Sequence, residues 1–170
     1  MMMRALALLG LFALASCGGD EAENKAAVVA SPPPGQWELA AQVTRFTNAG
    51  HDTPRINTPV GTRSTQSVCV GAGGQLPTSL FSGDDFTCSY GNYYVRNGTA
   101  NVTLTCQRQG LTGNILMTVD GTFGADRINL HRNVSTMLST GGNAQFEADV
   151  TGHRTGPCTP AAPTAAQNRQ

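Results

Sequence analysis

Apolar and polar residues alternate with a period of two in four separate stretches of the chain. This alternation is typical of β-strands that bury one face and expose the other. The apolar positions of the four stretches are Trp37, Leu39, Ala41 and Val43; Ile115, Met117 and Val119; Ile128, Leu130, Val134 and Leu138 around Arg132; and Phe146, Ala148 and Val150. A single helical turn is expected at Pro77 to Phe81, because proline favours the first position of a helix. No other stretch has a helical pattern.

Residues 84–108 contain two further strand-like runs, which are separated by Arg96-Asn97-Gly98. A three-residue hairpin loop would place Gly98 in the left-handed conformation that closes such turns. The opposed pairs are then Cys88 and Cys106, Tyr90 and Leu104, and Asn92 and Val102. Because this register puts the apolar residues of both strands on one face, we predict a β-hairpin with the two cysteines opposite each other.

The predicted fold class is all-β. Strands with one apolar face and no helix to cover that face must curl on themselves. We therefore expect an antiparallel meander of about seven strands that curls into a strongly curved sheet or partly open barrel with two disulfides. The large side chains expected to fill its interior are Trp37, Phe86, Tyr90, Phe123 and Phe146.

The first 16 residues have the features of a signal peptide. Met1 to Arg4 carry a positive charge, and the apolar run Ala5 to Ala15 is too short to span a bilayer but suits a secretory signal. Leu14-Ala15-Ser16-Cys17 resembles the bacterial lipobox, in which the cysteine receives a diacylglycerol and becomes the first residue after cleavage. The alternative is an ordinary signal peptide that is cut near Ser16. We expect Cys17 to be the lipidation site.

The composition divides the remaining chain into a tether, a domain and a tail. Residues 17–34 are polar and end in Ser31-Pro-Pro-Pro34, which predicts a flexible, lipid-anchored tether. Residues 35–158 form the β domain, and residues 159–170 form a disordered tail rich in Pro, Ala and Gln. The domain contains eight arginines and eight acidic residues and has no basic run. Nucleic acid is therefore not expected as a partner.

Cys17 apart, the chain has four cysteines: Cys69, Cys88, Cys106 and Cys158. Four cysteines in an exported domain indicate two disulfides, which can form in three ways. The hairpin register favours Cys88–Cys106, and Cys69–Cys158 then follows by elimination. Zinc is not expected, because the sequence lacks the closely spaced cysteine pairs of zinc sites.

The sequence contains no set of residues that predicts catalysis or a cofactor. It has no Gly-x-Ser-x-Gly motif, and its three histidines, His51, His131 and His153, lie far apart. Strand parity places His131 and His153 on the polar face, where Glu147 and Asp149 also share one side of a strand. The remaining candidate site residues are interpreted as structural. Asp84-Asp85, and Asp120-Gly121 with Asp126, are expected in turns, and Gly71–Gly74 in a flexible loop. Met117 and Met137 are expected to pack in the core. We expect no enzyme activity, metal or cofactor.

Several short motifs together resemble a known bacterial family. They are Pro34-Gly35-Gln36-Trp37-Glu38, Val68-Cys69-Val70, the central Cys88 and Cys106, Met117 in its strand, and the closing segment Gly152 to Cys158. These motifs resemble the family called domain of unknown function 3617, over nearly all of residues 35–158. The resemblance implies a small exported protein, often a lipoprotein, whose function is unassigned. It supplies no catalytic residue.

We expect a non-catalytic lipoprotein of the bacterial envelope that binds a protein or cell-wall partner through loops or an exposed sheet edge. One alternative is a carrier that encloses a small apolar ligand within the curved sheet. Another is an inhibitor of a wall-degrading enzyme, by analogy of fold alone. Gly18 rather than Asp follows Cys17, which favours the periplasmic face of the outer membrane.

Overall fold

The computed structural model describes residues 28–158 and contains seven strands and one short helix. The elements are β1 (Gly35–Asn48), β2 (Arg63–Val70), α1 (Ser79–Ser82), β3 (Thr87–Arg96), β4 (Thr99–Gln107), β5 (Gly113–Phe123), β6 (Arg127–Leu138) and β7 (Ala144–Gly156). The predicted signal peptide, the predicted lipidation site Cys17 and the predicted tail lie outside the described residues. Within residues 28–158, no helix is long and apolar enough to cross a membrane.

The strands form one antiparallel sheet that curls into a half-barrel, which confirms the predicted fold class. The strand order is β2-β1-β7-β6-β5-β4-β3. Strands β3 to β7 form a meander of consecutive neighbours, and β1 then pairs with β7 rather than lying at an edge. The edge strands β2 and β3 are joined by the segment that contains α1. This segment therefore lies where the barrel is open.

The core lies on the concave side of the sheet and is formed by alternate residues of each strand. Trp37 is fully buried, and its indole N–H donates to the carbonyl of Pro33 at 3.1 Å. The predicted core residues that are buried are Leu39, Val43, Ile115, Met117, Val119, Phe123, Ile128, Leu130, Val134, Leu138, Phe146, Ala148 and Val150. The prediction for Met137 was wrong, because this side chain is 56% exposed. Leu138 takes the inward position at that end of β6, so its neighbour points outward.

The segment between β2 and β3 covers part of the concave side. Leu76, Leu80 and Phe81 are buried against the sheet. Two tyrosines of β3 bond to the backbone of Leu76. The Tyr90 hydroxyl donates to the Leu76 carbonyl at 2.8 Å, and the Leu76 N–H donates to the Tyr93 hydroxyl at 3.3 Å. The predicted helical turn is present as α1, but it starts after Pro77, with Thr78 as its N-cap.

Both predicted disulfides are present. Cys88 and Cys106 lie directly opposite each other on β3 and β4, with their Cα atoms 4.0 Å apart. Cys69 of β2 is bonded to Cys158, which follows β7, with a Cα–Cα distance of 5.3 Å. Because β1 separates β2 from β7, this second bond connects strands that are not neighbours.

The β3–β4 hairpin differs from the prediction at its turn. The turn contains two residues, Asn97 and Gly98, with φ values of 52° and 76°, instead of three. Two left-handed residues match the twist of the paired strands. An irregularity between Tyr90 and Asn92 absorbs the change of register, so Thr103 rather than Val102 lies opposite Asn92. The two predicted pairs on the other side of this irregularity are confirmed.

Residues 28–34, which the sequence assigned to the tether, lie against one end of the sheet. The carbonyl of Val29 accepts a hydrogen bond from the N–H of Gly98 at 3.0 Å. At the other end of the segment, the carbonyl of Pro34 accepts one from Nε of Arg154 at 2.8 Å. The packed domain therefore includes residues that precede β1.

Candidate functional site

The outward face of the sheet has two adjoining depressions, with volumes of about 950 and 370 Å³. Both are lined by Asn129 of β6 and Thr151 of β7, which lie opposite each other. The two depressions therefore form one continuous concave surface, which we call the trough. It is the candidate functional site.

The floor of the trough consists of short side chains in one cross-strand row. The pairing of the strands places Thr65 beside Ala40, Ala40 beside Thr151, and Thr151 beside Asn129. Adjacent strands are about 4.8 Å apart, so this row is about 14 Å long. Hydroxyl and amide groups on three of its four members can form hydrogen bonds with a ligand.

One wall of the trough contains a free cation. Glu38, His153 and Arg127 form the next outward-facing row, two residues from the floor along each strand. His153 Nε2 lies 3.5 Å from Glu38 Oε2, so these two side chains partner each other. The guanidinium of Arg127 makes no hydrogen bond or ion pair with any residue in the described part of the chain.

The opposite wall is acidic. Asp120, His131 and Asp149 lie side by side on β5, β6 and β7. Nδ1 of His131 lies 3.0 Å from Oδ1 of Asp149, and its Nε2 lies 3.9 Å from Oε2 of Glu147. The hydrogen bond to Asp149 raises the pKa of His131; partial burial opposes this effect, and the charges of Asp149, Asp120 and Glu147 reinforce it.

The structure confirms part of the polar-face prediction and corrects another part. His131 and His153 lie on the polar face, as predicted, with His153 exposed and His131 partly buried, and Glu147 and Asp149 do share one side of β7. Asp120, which was assigned to a turn, instead lies within β5 and joins the acidic wall. Sequence parity placed the two histidines, Glu147 and Asp149 on the polar face, but it did not give the register that brings His131 beside Asp149.

The acidic wall does not have the geometry of a metal site. Among residues 28–158, no group of three His, Cys, Asp or Glu side chains could hold a metal ion. What the trough offers instead is a set of hydrogen-bonding groups between an unpaired arginine and a row that carries two aspartates. This arrangement can bind and orient a polar ligand.

The concave side of the sheet contains a charged side chain whose contacts the sequence did not predict. Arg132 points inward from β6, and its Nη1 donates to the carbonyls of Phe81 and Ser82 at 3.2 and 2.6 Å. Burial lowers its pKa, and its Nε is buried without a hydrogen-bond partner. Gln66 also donates to α1, at the carbonyl of Ser79. These contacts hold α1 in place, and they engage Nη1 of Arg132 and the side-chain amide of Gln66 within the protein.

Comparison with known proteins identifies one family. A family model that is described as a protein of unknown function, DUF3617, matches residues 32–158. No curated protein and no solved structure matches the chain.

Proposed function

The chain belongs to the DUF3617 family, and from this premise we propose that it is a non-catalytic lipoprotein of the bacterial envelope whose trough binds a cell-wall partner. The observation that carries the proposal is the trough itself: a floor of short polar side chains between a wall with a free arginine and an acidic wall. It lies on the face of the sheet, whereas the sequence favoured loops or a sheet edge as the contact surface.

The lipobox supports the anchored location. Cys17 follows Leu14-Ala15-Ser16, and all four other cysteines are in disulfides, which are typical of an oxidising compartment. Residue 28, the first that is described, follows Cys17 by 11 residues. A chain of this length spans at most about 40 Å. The domain would therefore be held close to the periplasmic face of the outer membrane.

The packing of the concave side favours binding at the trough over the carriage of an apolar ligand. Trp37, Leu80 and Phe81 fill this side and are nearly inaccessible to solvent. An apolar ligand within the sheet would have to displace such side chains, and each would lose about 1.5–3 kcal/mol of burial free energy.

Binding to purified cell-wall sacculi tests the proposal. The full mature protein is expected to co-sediment with sacculi, and Thr151→Trp, which fills the floor, is expected to weaken binding at least tenfold. The matched control is Thr105→Trp on β4, an exposed residue outside the trough. Equal binding by the two variants, or no binding by the unmodified protein, would contradict the proposal. In the second case, a protein partner becomes the better candidate.

Fractionation tests the anchor. Cys17→Ser is expected to prevent lipidation, so that the protein leaves the membrane fraction or retains its signal peptide. Stable anchoring requires more than one acyl chain, and removal of the acceptor sulfur removes the anchor. A variant that matures and fractionates like the unmodified protein would show that Cys17 is not the lipidation site.

A further inference from the structure

We propose that the trough binds a short, extended peptide with a free amino group and a free carboxylate, with the carboxylate at Arg127 and the amino group at Asp120. This inference rests on the proposed function, because it names the chemical class of ligand at the same site. Three features of the trough carry it: an unpaired cation, an excess of acid opposite that cation, and the distance between the two.

Arg127 is the group that would bind the carboxylate. Its guanidinium has no partner among the described residues, whereas two other basic side chains near this wall are engaged: His153 lies beside Glu38, and Arg154 donates to Pro34. Guanidinium and carboxylate groups match in geometry and can form two parallel hydrogen bonds. Arg127 is thus available for a carboxylate of the ligand.

The acidic wall is the complementary site for an amino group. His131 lies between Asp120 and Asp149, so even a protonated His131 leaves one negative charge among these three side chains. The carboxylate of Asp120 makes no hydrogen bond with any described residue. Glu147, the next acid on this face, is occupied by Arg45 at 3.2 Å. Asp149 is bonded to His131, so an ammonium group beside Asp120 would supply the missing positive charge.

The distance between the walls sets the length of the ligand. Arg127 and His131 lie four residues apart on β6, and Asp149 and His153 lie four apart on β7. At about 3.4 Å per residue, the walls are about 14 Å apart. A free amino acid cannot reach both walls, but an extended peptide of three or four residues spans about 10–14 Å.

The floor suits a peptide backbone between the two charged ends. Thr151 and Asn129 offer both donors and acceptors at the centre of the trough. No Phe, Tyr or Trp lines either depression, so the only ring surfaces in the trough are the imidazoles of His131 and His153. The lining thus favours hydrogen bonds to peptide groups.

Titration calorimetry at low ionic strength tests the proposal with tri-alanine as the probe. We expect tri-alanine to bind the full mature protein, and we expect N-acetylation and C-amidation of the peptide each to weaken binding about threefold, since exposed charge pairs contribute modestly. In Arg127→Gln, amidation should no longer matter while acetylation still does, and Asp120→Asn should reduce the sensitivity to acetylation alone. Arg63→Gln, an exposed arginine of β2 that does not line the trough, is the matched control.

Two outcomes would overturn the inference: no binding of tri-alanine, or an equal effect of amidation in Arg127→Gln and the unmodified protein. If sacculi still bind in a manner that depends on Thr151, the proposed function stands and only this ligand class is wrong. If neither sacculi nor tri-alanine binds, both proposals fail.

Discussion

Arg132 shows how one residue can control the position of an element. Its guanidinium has no acidic partner among the described residues and instead donates to two carbonyls of α1. A partly buried cation of this kind carries a cost of desolvation, which its hydrogen bonds to carbonyls offset. The last carbonyls of α1 lack partners within the helix, so the guanidinium of Arg132 stabilises the protein by donating hydrogen bonds to them.

The substitution Arg132→Ala is expected to destabilise the protein by about 2 kcal/mol, because two carbonyls lose a charged donor and the long side chain leaves a gap. Urea unfolding measures this change. Hydrogen exchange should also become faster at the N–H of Gly83, which bonds to Ser79 in α1. Arg127→Ala, on the exposed face of the same strand, is the control and should change stability by less than about 0.5 kcal/mol. Equal losses in the two variants would show that the contacts of Arg132 contribute nothing.

The raised pKa of His131 predicts a specific pH dependence. NMR titration should give a midpoint above the usual value of about 6.5, and Asp149→Asn should lower it. Because the folded-state pKa is raised, the stabilisation is complete below the unfolded pKa and is lost as pH rises through the folded pKa. Asp149→Asn should therefore cost more stability near pH 5.5 than near pH 8. Glu38→Gln, beside His153, should leave the midpoint of His131 unchanged; a shift there would indicate a general charge effect.

At the scale of the element, the hairpins depend on glycines that the strand pattern does not reveal. Gly121 has a φ of 154°, and a Cβ at this position would collide with the backbone carbonyl of Asn129 on β6. The absence of a side chain at Gly121 lets the backbones of β5 and β6 approach closely beside Asn129, at the floor of the trough. Local backbone geometry therefore shapes the floor beside Asn129 as much as the side chains do.

Gly121→Ala is expected to destabilise the protein by about 2 kcal/mol or more, since a strained φ alone costs about 1–3 kcal/mol and the backbone must also move. Gly124→Ala, three residues later, is the matched control, because nothing lies within 4 Å of the position of its Cβ. Thermal unfolding of both variants measures the difference. A similar melting temperature for the two would mean that β5 and β6 can separate at Gly121 without cost.

The strands themselves could be predicted from the sequence, but the details of their pairing could not. Alternation fixed the inward face of β5 and β6, and the hairpin register placed Cys88 opposite Cys106. The two-residue turn was missed because a compensating irregularity beside Gly91 preserves the register on its far side. The alternation also placed Arg132 among the inward positions of β6, but its bonds to α1 were not predicted because a pattern of apolar and polar residues carries no signal of a charged side chain's partners.

At the scale of the whole molecule, the strand order and the trough have the same origin. The pairing of β1 with β7 brings Ala41 beside Val150, and the separation of more than 100 residues is invisible to any local pattern. The same pairing brings Ala40 beside Thr151 and so joins the half of the floor that contains Thr65 to the half that contains Asn129. Sequence parity could assign each of these residues to a face, but the trough exists only because of contacts between distant strands.

The two disulfides should differ in their contribution to stability. Cys69–Cys158 joins residues 89 positions apart and links the edge strand β2 to the end of β7 across β1, whereas Cys88–Cys106 joins residues 18 apart on paired strands. In the chain-entropy model, closing these loops stabilises by about 4.6 and 3.2 kcal/mol.

The double variant Cys69→Ala/Cys158→Ala should therefore unfold at a lower urea concentration than Cys88→Ala/Cys106→Ala. Peptide mapping under non-reducing conditions verifies the remaining bond in each variant. The difference is small because loop entropy rises slowly with length, and the buried position of Cys106 adds a packing loss to the second variant. If the second variant proves the less stable, the local packing of the β3–β4 hairpin outweighs the long-range tie, and the stability of the half-barrel depends on that hairpin rather than on closure across β1.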